Sequence, residues 1–199
     1  MVAYPTSVEE CRNVIEFAKK NSLTICPRAG GFSYGDMILN EDQIVINLSR
    51  MDRIVEWDSA TGLVVVEPGV CFSEIFRMAL IHNWTLPSCP GGMGVTIGGA
   101  ISNNVHGKDS WKEGKFGDQV TQIKLLTASG EIVEIFRDRD RNLFEAVVGG
   151  IGLMGSLSIS VVERTREIGV MRAIGASTRT LLGMFIVEGF LQGLISWVI

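Results

Sequence analysis

The residues best suited to chemistry in this sequence lie in three short segments that are rich in glycine or polar side chains. The first runs from Arg28 to Asp36, with the sequence RAGGFSYGD, between a predicted strand and a polar loop. Glycine frees successive backbone N–H groups to line an anion-binding concavity, and the hydroxyl groups of Ser33 and Tyr34 add donors. The segment predicts a diphosphate site, although a plain glycine-rich turn explains the same pattern.

The second and third segments extend this set of polar groups. PGGMGVTIGGA, from Pro90 to Ala100, ends where a helix is predicted to begin, and amides there favour a phosphate or a flat ring lying against the backbone. NNVHGKD, from Asn103 to Asp109, places polar groups among apolar residues, where they need each other or a ligand as partners. His106 is therefore the better candidate of the two histidines, since His82 is expected at a surface helix end.

Other patterns that carry chemistry are missing from the sequence. It contains no nucleophile elbow, Walker loop, HExxH motif or paired-carboxylate spacing, so hydrolysis and phosphoryl transfer lack residues to perform them. The four cysteines form no C-x-x-C pair and predict neither a metal site nor a disulfide framework. If the protein catalyses a reaction, a cofactor must supply the chemistry.

Composition narrows the class of partner. The chain has 199 residues, of which 46% are hydrophobic and 20% charged, which excludes disorder. Its net charge of −4 leaves no basic footprint for nucleic acid. The 23 glycines exceed the average frequency of about 7% and indicate tight turns or close backbone approach to a ligand. A small molecule or a membrane is therefore the expected partner.

The elements that position these segments alternate between short helices and strands. A helix is predicted to begin after Thr6 or Ser7, because a hydroxyl there can cap it while a glutamate three residues on reaches back. The other predicted helices are Cys71–Asn83, Gly98–Val105 and Asn142–Val148. Predicted strands are Leu23–Cys26, Gln43–Leu48 and Gly62–Glu67, followed by a hairpin of Gln119–Ala128 and Glu131–Phe136. Together they predict an α+β domain.

The end of the sequence differs from the rest. From Thr180 to Ile199 the only charged residue is Glu188, and about 20 residues at 1.5 Å each match a hydrocarbon core of about 30 Å. This pattern predicts a transmembrane helix. A soluble, amphipathic helix is the alternative, because Glu188, Gln192 and Ser196 would share one polar stripe. The first residues do not have the composition of a secretory signal.

The three segments, in this order, resemble the FAD-binding half of PCMH-type (vanillyl-alcohol-oxidase-like) flavoproteins. The sequences that carry the resemblance are RAGGFSYGD, PGGMGVTIGGAISNNVHGKDSWKEGKFGDQV and LLTASGEIVEI. The resemblance runs from about Val2 to Gly155 and implies an FAD-binding domain of residues 1–155, with two α+β subdomains and an extended FAD between them. It implies the FAD-binding domain of a flavin-dependent oxidoreductase of the sugar or alcohol oxidase type. It identifies no catalytic side chain and no metal ligand.

The resemblance also assigns FAD-binding positions. The diphosphate loop would comprise Arg28, Ala29, Gly30, Gly31, Phe32, Ser33, Tyr34 and Gly35. The diphosphate and flavin would run along Gly91, Gly92, Thr96, Gly98 and Gly99. The remaining cofactor-binding residues would be Asn103, the isoalloxazine neighbours His106, Gly107 and Lys108, and Leu157 beside the adenine or the ribityl chain. Many family members attach FAD covalently through a histidine in an R-x-G-G-H-S loop. Phe32 stands at that position here, so the FAD is expected to be non-covalent.

Residues 156–199 resemble a different family. The run ERTREIGVMRAIGA is similar to the FtsX-like C-terminal domain of macrolide-export type ABC permeases, and the heptapeptide GGIGLMG just before it is common to both families. The resemblance implies membrane association through the C-terminus with a cytoplasmic FAD domain, or a cytoplasmic protein if the tail is not inserted. The alternative functions are a membrane-anchored fragment related to ABC permeases, or a non-functional fusion of the two families.

The resemblance to flavoproteins implies a further domain as well. Full-length oxidases of this kind continue into a substrate-binding cap, for which this sequence has no counterpart. We therefore expect incomplete catalytic competence, with a sugar or polyprenyl-phosphate substrate only if a cap were supplied. An open flavin face also predicts weak cofactor binding.

Overall fold

The computed structural model of the chain describes residues 1–33 and 38–149. Its first part is a parallel three-stranded sheet in the order β1-β3-β2, formed by β1 (Val2–Ala3), β2 (Ile25–Arg28) and β3 (Ile44–Asn47). The helix α1 (Val8–Lys20) connects β1 and β2. Because β2 is an edge strand, Pro27 can lie within it without leaving a neighbouring carbonyl unpaired.

The start of α1 agrees with its predicted capping. The Ser7 hydroxyl accepts a hydrogen bond from the Glu10 N–H at 3.2 Å, and the Glu10 carboxylate accepts one from the Thr6 N–H at 2.6 Å. The helix buries Cys11, which packs with Ile46 of β3 in a small hydrophobic cluster. This cluster fixes the sheet whose strand β2 leads into the first glycine segment.

The second part of the fold contains two antiparallel hairpins and four helices. The first hairpin is β4 (Ile54–Asp58) with β5 (Leu63–Val66), and the second is β6 (Gln122–Leu126) with β7 (Ile132–Phe136). The helices are α2 (Phe72–Leu80), α3 (Ile97–Ser102), α4 (Ser110–Glu113) and α5 (Arg141–Val147). The predicted α+β class is confirmed for the described residues.

A larger hydrophobic core lies between α2 and α3. Phe72 and Ala100 are fully buried, and the Phe72 ring meets that of Phe116 edge-on with centroids 4.8 Å apart. Backbone hydrogen bonds join the chain around this core, from the Phe72 N–H to the Val95 carbonyl at 3.1 Å and from the Ile97 N–H to the Val70 carbonyl at 2.8 Å. The second glycine segment is therefore fixed alongside the start of α2.

The structure corrects the predicted elements in several places. β2 begins two residues later than predicted and continues through Pro27, which was expected to start a loop. β4 was missed because IVEWD does not alternate cleanly between apolar and polar residues. β1 and α4 were missed because two and four residues are too short to show a periodic pattern.

Some predictions fall on residues that the structure does not describe. Among residues 1–33 and 38–149, no helix is both long and apolar enough to cross a bilayer. The predicted span from Thr180 to Ile199 lies outside these ranges, as do the permease-like segment and the candidate residues Tyr34, Gly35 and Leu157.

Candidate functional site

The first two predicted segments meet at one point in the structure. The Gly30 N–H donates to the Thr96 hydroxyl at 3.3 Å, and Thr96 is almost completely buried. A Cβ at Gly30 would lie 3.2 Å from the Thr96 methyl carbon and 3.3 Å from the Gly94 carbonyl oxygen. Only glycine allows this approach without displacing a neighbour, so the close contact explains the residue type at position 30.

Phe32 extends the contact between the two segments. A Cβ at Gly94 would lie 3.0 Å from the Phe32 ring, which places the ring directly over that glycine. The Phe32 side chain remains 60% exposed. One face of the ring therefore packs on the second segment while the rest stays open to a ligand or to solvent.

Free backbone N–H groups follow Gly30 in the first segment, and others lie at the start of the second segment. Gly31 has a φ of +73°, a conformation that favours glycine and turns the chain sharply after Gly30. Among the described residues, the N–H groups of Gly31, Phe32 and Ser33 donate to no acceptor, and neither do those of Gly91 and Gly92. Consecutive unpaired N–H groups form a concavity that accepts an anion.

Arg28 places a positive charge beneath these donors. Its Nε atom is buried and has no hydrogen-bond partner, and a Cβ at Gly31 would lie 2.9 Å from its Nη2 atom. A buried, unpaired donor costs free energy, so such a group in a folded protein calls for an explanation. An anion bound in the adjacent concavity would provide the missing acceptor.

An open cleft of about 500 Å³ extends from the junction toward the start of α2. Its lining contains two carboxylates, one guanidinium and several hydroxyls. The lining residues are Gly30, Ser49, Asp52, Gly69, Cys71, Ser73, Glu74, Arg77, Gly94 and Thr96. The residues of this cleft outside the glycine segments were missed in the sequence, because they come from separate elements. The only local sequence signal for these cleft residues is that Ser73 and Arg77 are four positions apart, which places both side chains on one face of α2.

Burial, together with two neighbouring carboxylates, keeps the Cys71 thiol of the cleft neutral. Burial raises the pKa of Cys71 above its ordinary value, and the nearby carboxylates of Glu74 and Asp52 raise it further. The Glu74 carboxylate also accepts a hydrogen bond from the Cys71 N–H at 2.8 Å. Since the thiolate is the nucleophilic form, Cys71 is not arranged for covalent catalysis at neutral pH.

The third predicted segment follows α3. His106 and Lys108 are exposed, and neither side chain makes a hydrogen bond or an ion pair with a described residue. Gly107 between them packs so tightly that a Cβ would collide with the backbone of Cys89. Asn103 donates from its side-chain amide to the Gly99 carbonyl at 2.9 Å. The segment thus has a fixed backbone with two free ionisable side chains.

The remaining candidate residues lie in the first turn of α3 and directly after β2. Gly98 and Gly99 form the first turn of α3, and the Gly98 N–H donates to the Pro68 carbonyl at 2.9 Å. Ala29 is half-buried between Arg28 and Gly30. In the part of the chain that the structure describes, no group of three or more potential metal ligands is present.

Two family models match the chain. Residues 1–135 match the model described as an FAD binding domain. Residues 143–199 match the model described as FtsX-like permease C-terminal.

Individual relatives match about three quarters of the chain. Decaprenylphosphoryl-β-D-ribose oxidase of Mycolicibacterium smegmatis is 38% identical over 155 residues, which are 77% of this chain and 34% of that protein. L-gulonolactone oxidase of Bos taurus is 30% identical over 78% of this chain and 35% of that protein. The chain therefore spans about a third of the length of these curated relatives.

Solved structures share the fold. The crystal structure of 6-hydroxy-D-nicotine oxidase from Arthrobacter nicotinovorans superimposes with a TM-score of 0.68 at 25% identity, covering 74% of this chain and 32% of that one. A BBE-like 1 protein of Physcomitrella patens gives a TM-score of 0.65 at 26% identity, with the same coverage of both chains. These neighbours support the predicted PCMH-type α+β fold for the first part of the chain.

Proposed function

The chain belongs to the FAD binding domain family, and on that premise we propose that residues 1–155 hold FAD non-covalently for a flavin-dependent oxidoreductase. The observation that carries this proposal is the junction of Gly30 with Thr96, where unpaired N–H groups follow Gly30 in the first segment and the Arg28 guanidinium lies beside Gly31 with its Nε atom buried and without a partner. An FAD diphosphate carries the negative charge and the acceptor oxygens that this arrangement lacks.

The diphosphate would lie against the first segment. The N–H groups of Gly31, Phe32 and Ser33 would donate to its oxygens, and Arg28 would supply the compensating charge from below. Gly91 and Gly92 would present the opposite wall, since a Cβ at Gly91 meets nothing within 4 Å and leaves space for a ligand. The residues present therefore fit the cofactor that the family requires.

The isoalloxazine would lie toward the third segment. His106 and Lys108 are exposed, and their side chains have no partner among the described residues, so both are available to a ligand. A cation beside the ring would favour the reduced, anionic form of the flavin. Asn103, bonded to the Gly99 carbonyl, would position the end of α3 beneath the cofactor.

The attachment is proposed to be non-covalent because of Phe32. A phenyl ring offers no nucleophilic atom to bond to the flavin, and this ring packs on Gly94. Phe32 would instead contribute apolar contact to the cofactor through its exposed face.

The substrate class is proposed from the relatives alone. When bound, FAD would supply a two-electron oxidation by taking a hydride from the carbon that bears the substrate hydroxyl, while the hydroxyl proton leaves to solvent. The relatives are named for decaprenylphosphoryl-β-D-ribose and for L-gulonolactone. The proposed substrate is therefore an alcohol group of a sugar or of a polyprenyl-phosphate sugar. The substrate-binding cap would be supplied from outside residues 1–155.

A second candidate function rests on the match of residues 143–199 to the FtsX-like permease family. The apolar run from Thr180 to Ile199 supports attachment of a cytoplasmic FAD domain to a membrane. The family match supports two alternatives, a membrane-anchored fragment related to permeases or an inactive fusion of the two families. Extraction of membranes with alkaline carbonate tests the attachment. Retention of the full chain in the pellet supports it, and release into the supernatant contradicts it.

Cofactor binding is tested by titrating the full chain with FAD and following flavin fluorescence. Thr96→Val removes the acceptor for the Gly30 N–H, so we expect FAD affinity to fall about tenfold, equivalent to one hydrogen bond of about 1.4 kcal/mol. Thr96→Ser keeps the hydroxyl and is expected to bind FAD like the parent chain. Equal affinity of all three proteins would contradict the assigned site, and no saturable uptake by the parent chain would contradict FAD binding itself.

A further inference from the structure

Two serines, the buried Ser88 and the half-buried Ser110, connect the second and third segments. Ser88 is 1% exposed, and its hydroxyl lies 3.4 Å from the hydroxyl of Ser110 at the start of α4. The Ser110 hydroxyl also accepts a hydrogen bond from the Gly107 N–H at 2.8 Å. One hydroxyl therefore contacts both the loop before the second glycine segment and the centre of the third.

The turn around Gly107 is closed from both sides. The Ser110 N–H donates to the Gly107 carbonyl at 3.3 Å, so Gly107 and Ser110 exchange two hydrogen bonds. On its other face, Gly107 packs on the backbone of Cys89, where no side chain would fit. Since Ser88 and Cys89 are neighbours in the chain, the same short loop holds Gly107 by contact and Ser110 by its hydroxyl.

The residues on either side of Gly107 are not held in this way. The side chains of His106 and Lys108 are exposed and have no partner among the described residues. The backbone at Gly107 anchors the Cα atoms of both residues, because a planar peptide unit joins each of them to Gly107. Removing the Ser110 hydroxyl would leave the Gly107 N–H without its acceptor and loosen the turn.

We propose that Ser110, supported by Ser88, is a positioning residue that fixes His106 and Lys108 relative to the flavin ring. This inference rests on the proposed function, since it requires FAD to lie beside the third segment. A serine that positions a cation near the ring acts differently on the oxidised and reduced forms of the cofactor, because only the reduced form gains negative charge. A serine with a purely structural role would change the affinity for both forms equally.

The experiment measures dissociation constants of the full chain for oxidised FAD and, without oxygen, for reduced FAD. In Ser110→Ala we expect the ratio of the two constants to change by about three- to tenfold, which corresponds to one neutral hydrogen bond. Ser110→Thr retains a hydroxyl and should restore the ratio. Ser129→Ala, which removes a similar hydroxyl contact with Thr127 in the β6–β7 turn, is the matched control and should leave the ratio unchanged.

Each outcome decides the proposal. A changed ratio in Ser110→Ala that the threonine variant restores supports positioning, and an unchanged ratio with FAD still bound overturns it without affecting the proposed function. If Ser110→Ala does not fold, Ser88→Ala keeps the bond between Gly107 and Ser110 while removing the support of that hydroxyl. In Ser88→Ala, a change in the ratio of the two dissociation constants that is smaller than the one expected for Ser110→Ala supports the proposal. An unchanged ratio in Ser88→Ala overturns it. Failure of the parent chain to bind either form of FAD overturns the proposed function and this inference together.

Discussion

Single residues at the junction of the two glycine segments show how the site is built. Arg28 holds a buried Nε atom that has no partner, and Gly31 lies directly above its guanidinium. Thr96 is buried, yet its hydroxyl is directed across to the neighbouring segment rather than capping α3. A buried donor without a partner, such as the Arg28 Nε–H group, costs stability in the absence of a ligand, which is typical of residues at binding sites.

Replacing Arg28 tests whether its unpartnered donor serves FAD binding rather than stability. Arg28→Met keeps an unbranched side chain but removes the charge and the unpaired donor, so we expect the apo-protein to unfold at the same urea concentration or a higher one. FAD affinity should fall by about 10- to 100-fold, since hydrogen bonds to charged groups contribute about 1.5–3 kcal/mol.

Fluorescence titration and urea unfolding of the same preparation measure both effects. Arg12→Met is the matched control, because Arg12 donates to the Gly130 carbonyl and pairs with Glu9 away from the glycine segments. A loss of FAD affinity in the control as large as that in Arg28→Met would contradict a specific role for Arg28.

Gly91 offers a second test, because the structure shows open space where its side chain would be. A Cβ at this position meets no heavy atom within 4 Å, so Gly91→Leu should change the free energy of unfolding by less than about 0.5 kcal/mol. If the cofactor occupies that space, FAD affinity falls by at least about tenfold through steric exclusion.

Isothermal titration with FAD, beside a thermal unfolding scan, separates the two effects for Gly91. Ala60→Leu in the exposed β4–β5 turn provides a surface substitution of similar size. Unchanged FAD affinity in Gly91→Leu would place the cofactor elsewhere.

At the scale of elements, the site depends on how α2 and α3 are joined through the loops that precede them. Hydrogen bonds connect Gly98 to Pro68 and Ile97 to Val70, so the second glycine segment has little freedom to move relative to α2. The site therefore lies on packed elements rather than on a free loop, which favours a preformed binding surface.

Two adjacent glycines of α3 should respond in opposite ways to alanine. A Cβ at Gly98 would lie 2.7 Å from the Pro68 Cβ and 3.0 Å from its carbonyl oxygen, so Gly98→Ala should lose about 1–3 kcal/mol of stability. At Gly99 the nearest atom is the Thr96 hydroxyl oxygen at 3.2 Å, so alanine should be neutral or gain up to about 1 kcal/mol from helix propensity.

Urea unfolding of both variants as apo-proteins measures this difference, and each variant serves as the control for the other. Equal destabilisation would contradict the packing of α3 on Pro68.

The elements also show what a sequence can predict. The start of α1 and the locations of both glycine segments could be predicted, because capping residues and glycine have strong local signals. β4 could not, since its five residues form a strand only by pairing with β5. The cleft residues Ser49 and Arg77 could not be predicted either, because the fold brings them together from separate parts of the chain.

For the molecule as a whole, an ion pair between distant residues links stability to pH. The Arg53 guanidinium lies 2.6 Å from the Glu67 carboxylate, and its hydrogen bond holds the pKa of Glu67 below the ordinary value of 4.5. A lowered pKa in the folded state stabilises the protein above pH 4.5, and this stabilisation disappears as the pH falls through the folded-state pKa.

Urea unfolding between about pH 6 and pH 3 should show this loss. Glu67→Gln removes the titrating group, so its stability should decline less steeply over that range. Glu56→Gln on β4, whose carboxylate has no hydrogen-bond partner among the described residues, should follow the parent chain. Parallel curves for all three proteins would contradict the contribution of the ion pair.

Reversible binding of FAD by this chain can be measured in one experiment. The full chain is dialysed to equilibrium against increasing FAD concentrations to count the bound cofactor, then precipitated with acid, and flavin is quantified in the supernatant and the pellet. We predict one FAD per chain at saturation, all of it released into the supernatant because Phe32 offers no atom for a covalent bond. No saturable FAD in the purified chain, or flavin that remains in the washed pellet, would contradict this prediction.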